Sequence, residues 1–326
     1  MSDVAETQQP LGIRIFHALG KEPDWSTLSA GDLATLSEST NRKRSSPLAR
    51  LITGFPDRGV SIAWQEVALS DRVLRVRVYR PSRDVDSAAG LPLVLHVHGG
   101  GFVGTAVQSD WINSHLAGAL PAVVVSVEHR LITAETPLPA AIDDGFDVLE
   151  QVLRNAQDWG VDPNRAAVLG ESAGAAVTAL AAIRAKRAGL SLRAQVLVNP
   201  CTDLTATALE YPSMVEIGDT PTLTAGQMEF FRRLAVPEGS DPRDVSPLYA
   251  GDLSGLPPAL VVVPLLDPLA DQGRAYADRL REAGTPTRVT EHHSAGHGFL
   301  SAPGLVPAAK EARSRISEFL QEHLAA

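Results

Sequence analysis

Ala166-Ala167-Val168-Leu169-Gly170-Glu171-Ser172-Ala173-Gly174 joins a short apolar segment to an alanine-rich one. The first four residues suit a buried strand, and residues 173–188 suit a helix. The Gly-x-Ser-x-Gly pattern between them permits a sharp turn, because neither flanking glycine carries a side chain. Such a turn holds its serine on strained backbone at a helix N-terminus, where developing negative charge is favoured. The stretch predicts a strand–turn–helix unit and makes Ser172 the candidate nucleophile.

Other short apolar runs indicate that this strand belongs to a sheet. They lack period-two alternation, which is typical of strands buried on both faces of a parallel sheet. The runs are residues 93–97, 122–127, 195–198 and 259–263, and helical patterns at 142–159, 173–188 and 271–283 separate most of them. Gly284 is a suitable helix stop. A last strand near 288–290 and a last helix over 307–324 close the chain. This alternation predicts an α/β fold with a mostly parallel sheet.

An antiparallel hairpin is expected before the parallel strands. Residues 73–79 alternate apolar and polar side chains, as a half-buried strand does, and residues 61–69 do so less regularly. A turn at Ser70-Asp71 would pair the two at the edge of the sheet.

A glycine-rich loop follows the run at 93–97. His98-Gly99-Gly100-Gly101-Phe102 has three residues without side chains, so its backbone N–H groups are free to point into a site. A phosphate-binding loop would need a downstream Gly-Lys-Ser/Thr, and none follows. With Ser172 nearby, the loop predicts an oxyanion hole formed by the N–H groups of Gly100, Gly101 and Ala173. His98 is expected to shape the loop.

A serine nucleophile requires a base, and His297 has the expected position. It lies in Ala295-Gly296-His297-Gly298-Phe299, just after the last strand, as the chain order Ser…Asp…His requires. A surface-loop histidine is the alternative interpretation. His292 and His293 would point in opposite directions on a strand and are weaker candidates.

The carboxylate of a triad should follow a strand between Ser172 and His297. Asp267 lies in the loop after the run at 259–263, and it is the candidate to orient His297. Asp271 is the competitor, better suited to capping the next helix, and Asp203 is a third and weaker choice. Glu171 is unsuited as the base, since adjacent side chains diverge, and is expected to anchor the turn or a nearby loop.

Composition narrows the class of protein. The chain has 326 residues with 44% hydrophobic and 21% charged residues, ordinary values for a soluble globular protein. A net charge of −9 argues against a nucleic-acid partner, and the basic run Arg42-Lys43-Arg44 is expected in a solvated surface loop. No apolar run approaches the length of a membrane helix, and the acidic start is unlike a secretory signal. Cys201 is the only cysteine and is expected to be a packing residue; a reducing cytoplasm is the predicted location.

Two segments fall outside the strand–helix rhythm. In residues 1–50, Ile13, Ile15, Phe16 and Leu19 share a helical spacing, and Ser26 or Ser29 could begin another helix. Residues 199–256 show no strand pattern but contain a helical stretch over 224–234, where Met228 and Phe231 are candidate pocket residues or core residues. The predicted organisation is an arm over 1–50, a catalytic domain of 51–201 and 251–326, and inserted helices over 202–250.

The combined motifs resemble a known family. His98-Gly99-Gly100-Gly101-Phe102, Gly170-Glu171-Ser172-Ala173-Gly174, Asp267-Pro268-Leu269 and His297-Gly298-Phe299 are similar to the motifs of the hormone-sensitive-lipase-like esterases, the bacterial family IV of the α/β-hydrolase fold, in the family's order. The resemblance covers residue 60 to the end. It implies an eight-stranded sheet, a helical cap built from the arm and the insert, hydrolysis of short- to medium-chain esters, no metal or organic cofactor, and a homodimer paired through the edge of the last strand.

Two stretches depart from the family pattern. His129-Arg130-Leu131-Ile132-Thr133-Ala134-Glu135-Thr136-Pro137 replaces Tyr-Arg-Leu-Ala-Pro-Glu-His-Pro and is one residue longer. Glu171 replaces the usual aspartate before the serine. The sequence thus predicts a serine carboxylesterase acting on a small-molecule ester, with an amidase or acyltransferase, or a receptor without a working triad, as alternatives.

Overall fold

The computed structural model describes residues 9–18, 23–82 and 90–325. Within these residues, eight strands form one sheet in the order β1-β2-β4-β3-β5-β6-β9-β10, and β7 and β8 form a separate pair. The strands are β1 (Val60–Ala68), β2 (Val73–Pro81), β3 (Leu91–Val97), β4 (Val123–Val127), β5 (Val161–Glu171), β6 (Ala194–Val198), β7 (Asp219–Thr220), β8 (Leu223–Thr224), β9 (Ala259–Leu266) and β10 (Thr287–Gly296).

The strands pair as the sequence predicts. β1 and β2 are antiparallel, and a turn closed by the Leu69 N–H on the Arg72 carbonyl at 2.8 Å joins them at the sheet edge. β2 also pairs antiparallel with β4, whereas the pairs β4–β3, β3–β5, β5–β6, β6–β9 and β9–β10 are parallel. β4 and β6 are buried along their whole length, which explains their uninterrupted apolar sequence.

Helices cover both faces of the sheet. One face packs on helices α4 (Asp110–Ala119) and α11 (Ala308–Leu324), and the other packs on helices α5 (Leu138–Arg154), α7 (Ala173–Arg187) and α10 (Ala270–Glu282). The described helices are α1 (Leu11–Ala18), α2 (Ala30–Arg44), α3 (Arg50–Thr53), α4 (Asp110–Ala119), α5 (Leu138–Arg154), α6 (Ala156–Trp159), α7 (Ala173–Arg187), α8 (Pro212–Ile217), α9 (Ala225–Ala235), α10 (Ala270–Glu282) and α11 (Ala308–Leu324). The structure confirms the predicted α/β fold with its eight-stranded, mostly parallel sheet.

The helix predicted over residues 142–159 is wrong in both its start and its continuity. It begins four residues earlier, at Leu138, because Pro139 fits the first turn of a helix, where its missing N–H needs no partner. It breaks at Asn155, whose φ of −112° and ψ of 35° leave the helical region, so α5 and α6 are separate.

The arm differs from its prediction in two respects. Ile13 is buried but Ile15 is 54% exposed, so they do not share a buried face; Leu19 and the side chain of Phe16 lie outside the described residues. The run Arg42-Lys43-Arg44 is the last turn of α2 and not a loop. Basic residues suit this position, because the carbonyl end of a helix carries partial negative charge.

Helix α2 begins where the sequence allowed. Ser29 caps it, accepting a hydrogen bond from the Asp32 N–H, while the Asp32 carboxylate accepts one from the Ser29 N–H. This reciprocal pair fixes the first turn.

The segment between β6 and β9 contains α8, α9 and the pair β7–β8. The expectation of no strand here is therefore wrong for four residues, which form the short ladder Asp219–Thr224 and Thr220–Leu223. Thr224 caps α9, its hydroxyl accepting the Gln227 N–H at 3.1 Å. No helix among the described residues is long and apolar enough to cross a membrane.

Candidate active site

Ser172 occupies the sharp turn between β5 and α7. Its φ of 56° and ψ of −121° place it in the left-handed region that L-residues rarely adopt. Its N–H donates to the Val198 carbonyl at 2.9 Å, so neighbouring β6 holds the turn in place. Strained backbone of this kind persists only where the surroundings fix it.

Both glycines of the Gly-x-Ser-x-Gly motif are required by close backbone approach. A Cβ on Gly170 would collide with the Gly174 carbonyl and the Thr178 hydroxyl. A Cβ on Gly174 would collide with the carbonyls of Val97 and His98, at the end of β3. The motif therefore lets β5, α7 and the glycine loop meet around Ser172.

Ser172, His297 and Asp267 form one hydrogen-bonded chain. Ser172 Oγ lies 2.7 Å from His297 Nε2, and His297 Nδ1 lies 3.0 Å and 3.1 Å from the two Asp267 carboxylate oxygens. Because a carboxylate only accepts hydrogen bonds, Nδ1 carries the ring proton and Nε2 is left to accept one from the serine. All three residues follow carboxyl ends of parallel strands, β5, β9 and β10, which explains why residues far apart in sequence converge.

The carboxylate makes His297 more basic. Asp267 is completely buried, and its Oδ1 also accepts the Leu269 N–H at 2.8 Å. Burial of the imidazole opposes its protonation, but the charge and hydrogen bond of Asp267, with a contribution from the Glu171 charge, raise the pKa of His297 above its ordinary value. A positive charge on the His297 imidazole is thus stabilised.

The two competing carboxylates lie elsewhere. Asp271 accepts the Ser213 N–H at 2.8 Å and pairs with Arg274 at 2.9 Å in the first turn of α10. It accepts no backbone N–H of α10, so its expected role as a cap of that helix is wrong. Asp203 is buried and accepts hydrogen bonds from its own loop, including the Thr205 N–H at 2.8 Å. Neither has a hydrogen bond to His297.

The glycine loop passes directly against the serine. A Cβ added to Gly99 would lie 3.3 Å from Ser172 Cβ. Gly100 and Gly101 have φ of 104° and 48°, and their carbonyls accept the N–H groups of Val103 and Ile132. Within residues 9–18, 23–82 and 90–325, the N–H groups of Gly100, Gly101 and Ala173 donate to no protein acceptor.

His98 and His129 support this loop. Their rings stack at 4.2 Å, His98 Nδ1 contacts the Gly99 carbonyl at 3.0 Å, and His129 Nε2 contacts the His98 carbonyl at 3.3 Å. His129 stands where the family pattern has tyrosine, and its ring packs on His98 as an aromatic side chain. The Arg130 N–H donates to the buried Asp144 carboxylate at 2.8 Å, which anchors the atypical stretch that follows.

Glu171 connects the serine turn to the loop that follows His297. Its Oε2 accepts the Ser301 hydroxyl at 2.6 Å, which agrees with the anchoring role expected from sequence. Its Oε1 is buried with no hydrogen-bond partner in the described part of the chain. Burial raises the pKa of Glu171, while Ser301, His297 and Arg44 act in the opposite direction.

A cavity of about 570 Å³ opens above the serine. Its floor includes Ser172 and His297, and its walls include residues of the glycine loop, residues 298–306, residues 13–53 and the segment between β6 and β9. The wall residues from the last two of these segments are Ile13, Lys43, Arg44, Leu48, Ala49, Ile52, Thr53, Pro221, Thr222, Leu223, Gln227, Met228 and Phe231. Both candidate pocket residues, Met228 and Phe231, thus line the cavity while also being buried.

Cys201 and the remaining histidine candidates are consistent with structural roles. Cys201 is buried, and burial raises the pKa of its thiol, so the thiolate is disfavoured. His292 is buried against Phe299 with ring centroids 5.4 Å apart, whereas His293 is exposed on the opposite side of β10.

Comparison with known proteins agrees with this geometry. A family described as alpha/beta hydrolase fold matches residues 94–301. The chain is 39% identical to carboxylesterase NlhH of Mycobacterium tuberculosis over 249 residues, 74% of this chain and 75% of that protein. It is 32% identical to the ethyl acetate hydrolase of Pseudomonas putida over 290 residues, 87% of this chain and 89% of that protein.

A solved structure extends the similarity over nearly the whole chain. An ester hydrolase from the metagenome of Lake Arreo, in complex with a bipyridine phosphonate derivative, has a TM-score of 0.85 at 31% identity, covering 98% of this chain and 100% of that one. The chain belongs to the hormone-sensitive-lipase-like esterases of the α/β-hydrolase fold. This confirms the predicted family and the predicted class of enzyme, a carboxylic ester hydrolase.

Sequence reasoning missed several polar residues of this esterase's cavity, among them Arg44. The sequence spacing could have indicated Arg44, because it follows the buried Leu33 by eleven residues, which is three helical turns and places both on one face of α2. Asn41 lies on the same face, and its side chain accepts the Gly104 N–H at 2.7 Å. Only with α2 placed on the glycine loop does that face turn towards the cavity.

Proposed function

We propose that the protein hydrolyses carboxylic esters through a covalent acyl-enzyme on Ser172. The observation that carries the proposal is the unbroken hydrogen-bonded chain from Ser172 Oγ through His297 to the buried Asp267. A serine hydroxyl is a weak nucleophile unless a positioned base accepts its proton, and this chain supplies such a base.

In the first half-reaction, His297 Nε2 takes the Ser172 proton as Oγ attacks the ester carbonyl carbon. The carbonyl oxygen becomes an oxyanion, which the N–H groups of Gly100, Gly101 and Ala173 bind. The tetrahedral intermediate then collapses, the bond to the alcohol oxygen breaks, and His297 gives its proton to that oxygen. Asp267 accepts the hydrogen bond from His297 Nδ1 and stabilises the imidazolium throughout.

In the second half-reaction, His297 takes a proton from water as the water oxygen attacks the acyl-enzyme carbonyl. Collapse of the second oxyanion breaks the bond to Ser172 Oγ, which regains its proton from His297. The carboxylic acid leaves, and the enzyme returns to its starting state.

We further propose that residues 1–50 and 202–250 act as a cap on a catalytic domain of 51–201 and 251–326. Both segments supply cavity walls, including Leu48 from the arm and Phe231 from α9. The cavity volume of about 570 Å³ suits esters with short to medium acyl chains. A cytoplasmic location and a homodimer paired through β10, an edge strand of the sheet, stay predictions from the sequence and the family.

Replacing the nucleophile tests the mechanism. Ser172→Ala should fold normally but lose on the order of a million-fold in kcat for p-nitrophenyl acetate, since no other group can form the acyl-enzyme. An organophosphate should add mass to Ser172 of the wild type and leave the variant unlabelled. Undiminished turnover of Ser172→Ala would contradict the mechanism, and a wild type that neither labels nor turns over would favour a receptor.

A further inference from the structure

A guanidinium group lies in the cavity next to the glycine loop. Arg44 ends α2, and its Nη1 donates to Gln108 Oε1 at 2.9 Å. Gln108 is buried, and its amide nitrogen donates in turn to the Gly99 carbonyl at 3.3 Å. A Cβ on Gly100 would lie 3.4 Å from Arg44 Nη1, so the cation is adjacent to the backbone proposed to bind the oxyanion.

The charge of Arg44 is not matched by a carboxylate. Within the described ranges, no Asp or Glu oxygen lies within 4.0 Å of it, and its Nε and Nη2 groups have no protein acceptor. Two other partly buried arginines are paired with carboxylates: Arg72 contacts Asp144 at 2.9 Å, and Arg77 contacts Asp110 at 2.6 Å. Arg165 and Arg279 have no carboxylate partner but donate to backbone carbonyls through more than one nitrogen or to more than one carbonyl. Arg44 therefore has donors to spare in a cavity lined largely by apolar side chains.

The burial of the Arg44 guanidinium favours binding of an anion beside it. Burial lowers the pKa of Arg44, which reflects the cost of holding a charge away from water, and the Glu171 charge only partly offsets that cost. A guanidinium presents a planar fork of N–H donors that matches a carboxylate with two parallel hydrogen bonds. Lys43 lines the same cavity and adds a second positive charge.

We propose that Arg44 binds a substrate carboxylate, so that the preferred substrates are esters carrying an ionised carboxyl group besides the ester itself. The proposal rests on the proposed ester hydrolysis and deepens it by naming a substrate class. Arg44 acts as a specificity determinant: it orients the substrate through a group that takes no part in the reaction.

Two matched ester pairs test this proposal and locate the carboxylate. Monoethyl adipate and ethyl hexanoate have the same acyl chain length and differ in a terminal carboxylate. The acetate esters of 4-hydroxybenzoate and of its amide place the same difference in the alcohol part. For each pair the measured quantity is the ratio of kcat/KM for the anionic ester to that for the neutral ester.

In Arg44→Met this ratio should fall about tenfold or more for at least one pair, because a hydrogen-bonded charge contact is lost. The pair that responds identifies the side of the ester on which the carboxylate binds. Arg44→Lys should restore part of the ratio, since an ammonium keeps the charge without the fork. Arg42→Met is the matched control: it removes one charge from the same helical turn, where Arg42 is exposed and pairs with Glu38, and both ratios should match the wild type.

Three results would contradict the proposal. One is an unchanged ratio for both pairs in Arg44→Met. Another is an equal fall for anionic and neutral esters, which would mean that Arg44 only balances the Glu171 charge. An Arg44→Lys variant as poor as Arg44→Met would also contradict recognition by charge.

A binding measurement separates this proposal from the proposed hydrolysis. Calorimetry on Ser172→Ala should detect binding of monoethyl adipate or 4-acetoxybenzoate, weakened about tenfold or more when Arg44→Met is added. If the wild type hydrolyses no ester but this Arg44-dependent binding persists, the anion site stands and the hydrolytic mechanism fails. If esters are hydrolysed and binding of both anionic esters is independent of Arg44, the anion site fails alone.

Discussion

The floor and the roof of the cavity are built by different means. The floor, residues 99–101, 172–173, 267 and 297, lies on loops that leave neighbouring parallel strands, so hydrogen bonds of the sheet fix each position. The roof, the wall residues of 13–53 and 221–231, consists of side chains on helices and on the short β7–β8 pair, from two segments far apart in sequence. Floor substitutions should therefore abolish the chemistry, whereas roof substitutions should change which ester is accepted.

The largest effect after loss of Ser172 is expected at Asp267. Asp267→Asn keeps the shape of the side chain but presents an amide to His297 Nδ1, which favours the wrong tautomer. We expect kcat for p-nitrophenyl acetate to fall on the order of a thousand- to ten-thousand-fold. Asp271→Asn changes the same residue type four residues further along the chain, in the first turn of α10. Asp271 contacts Ser213 and Arg274, so kcat of this variant should stay within a few-fold of the wild type. Equal losses in the two variants would contradict the assignment of Asp267.

A smaller loss is expected in the oxyanion loop. Gly101→Ala adds a Cβ at a φ of 48° and against the Phe231 ring, so the loop must shift. Displacing one oxyanion donor should lower kcat on the order of a hundredfold, measured with the same ester. Gly189→Ala is a matched control, because Gly189 has a φ of 71° and open space around its Cα. If kcat of Gly101→Ala were no lower than that of Gly189→Ala, the proposed role of the glycine loop in binding the oxyanion would be contradicted.

The same contrast explains what the sequence could predict. The floor was predictable because each residue follows an apolar run that is a strand, and because Gly170 and Gly174 mark the turn around Ser172. The position of Arg44 in the cavity was not predictable, because it depends on how α2 packs on the glycine loop. No local sequence pattern encodes a contact between two distant segments. The break between α5 and α6 at Asn155 was also not predicted, because the helical spacing of apolar residues continues from one helix into the next.

A roof substitution should change selectivity with little loss of chemistry. Phe231 lies against Gly101, so Phe231→Leu should enlarge the cavity there. In a p-nitrophenyl ester series from acetyl to palmitoyl, the wild type should prefer short to medium chains. In the variant, the kcat/KM ratio of hexanoate to acetate should rise several-fold, because a methylene fitted into an apolar pocket contributes about 1–3 kcal/mol.

Phe230→Leu provides the matched control for this roof prediction. Phe230 is as buried as Phe231 but packs on Trp25 and Phe102, with ring centroids 5.6 Å apart in both pairs. Both variants should lose about 1 kcal/mol of stability in urea unfolding, yet only Phe231→Leu should alter the chain-length ratio. A parallel change in both would mean that general loosening, and not cavity shape, sets the preference.

The smallest effect is expected at Glu171, where floor and roof meet. His297 must be neutral to accept the Ser172 proton, so activity falls as pH drops through its raised pKa. The Glu171 charge is one cause of that raised pKa, so Glu171→Gln should move the acid limb of kcat/KM to lower pH, by less than about one pH unit. Burial raises the pKa of Glu171, which works against its charged form and therefore against its effect on His297. Glu135→Gln, a change at an exposed residue, is the control and should leave the acid limb of kcat/KM unchanged. If the acid limb of Glu171→Gln moved to higher pH, the Glu171 charge would not raise the pKa of His297 as the geometry indicates.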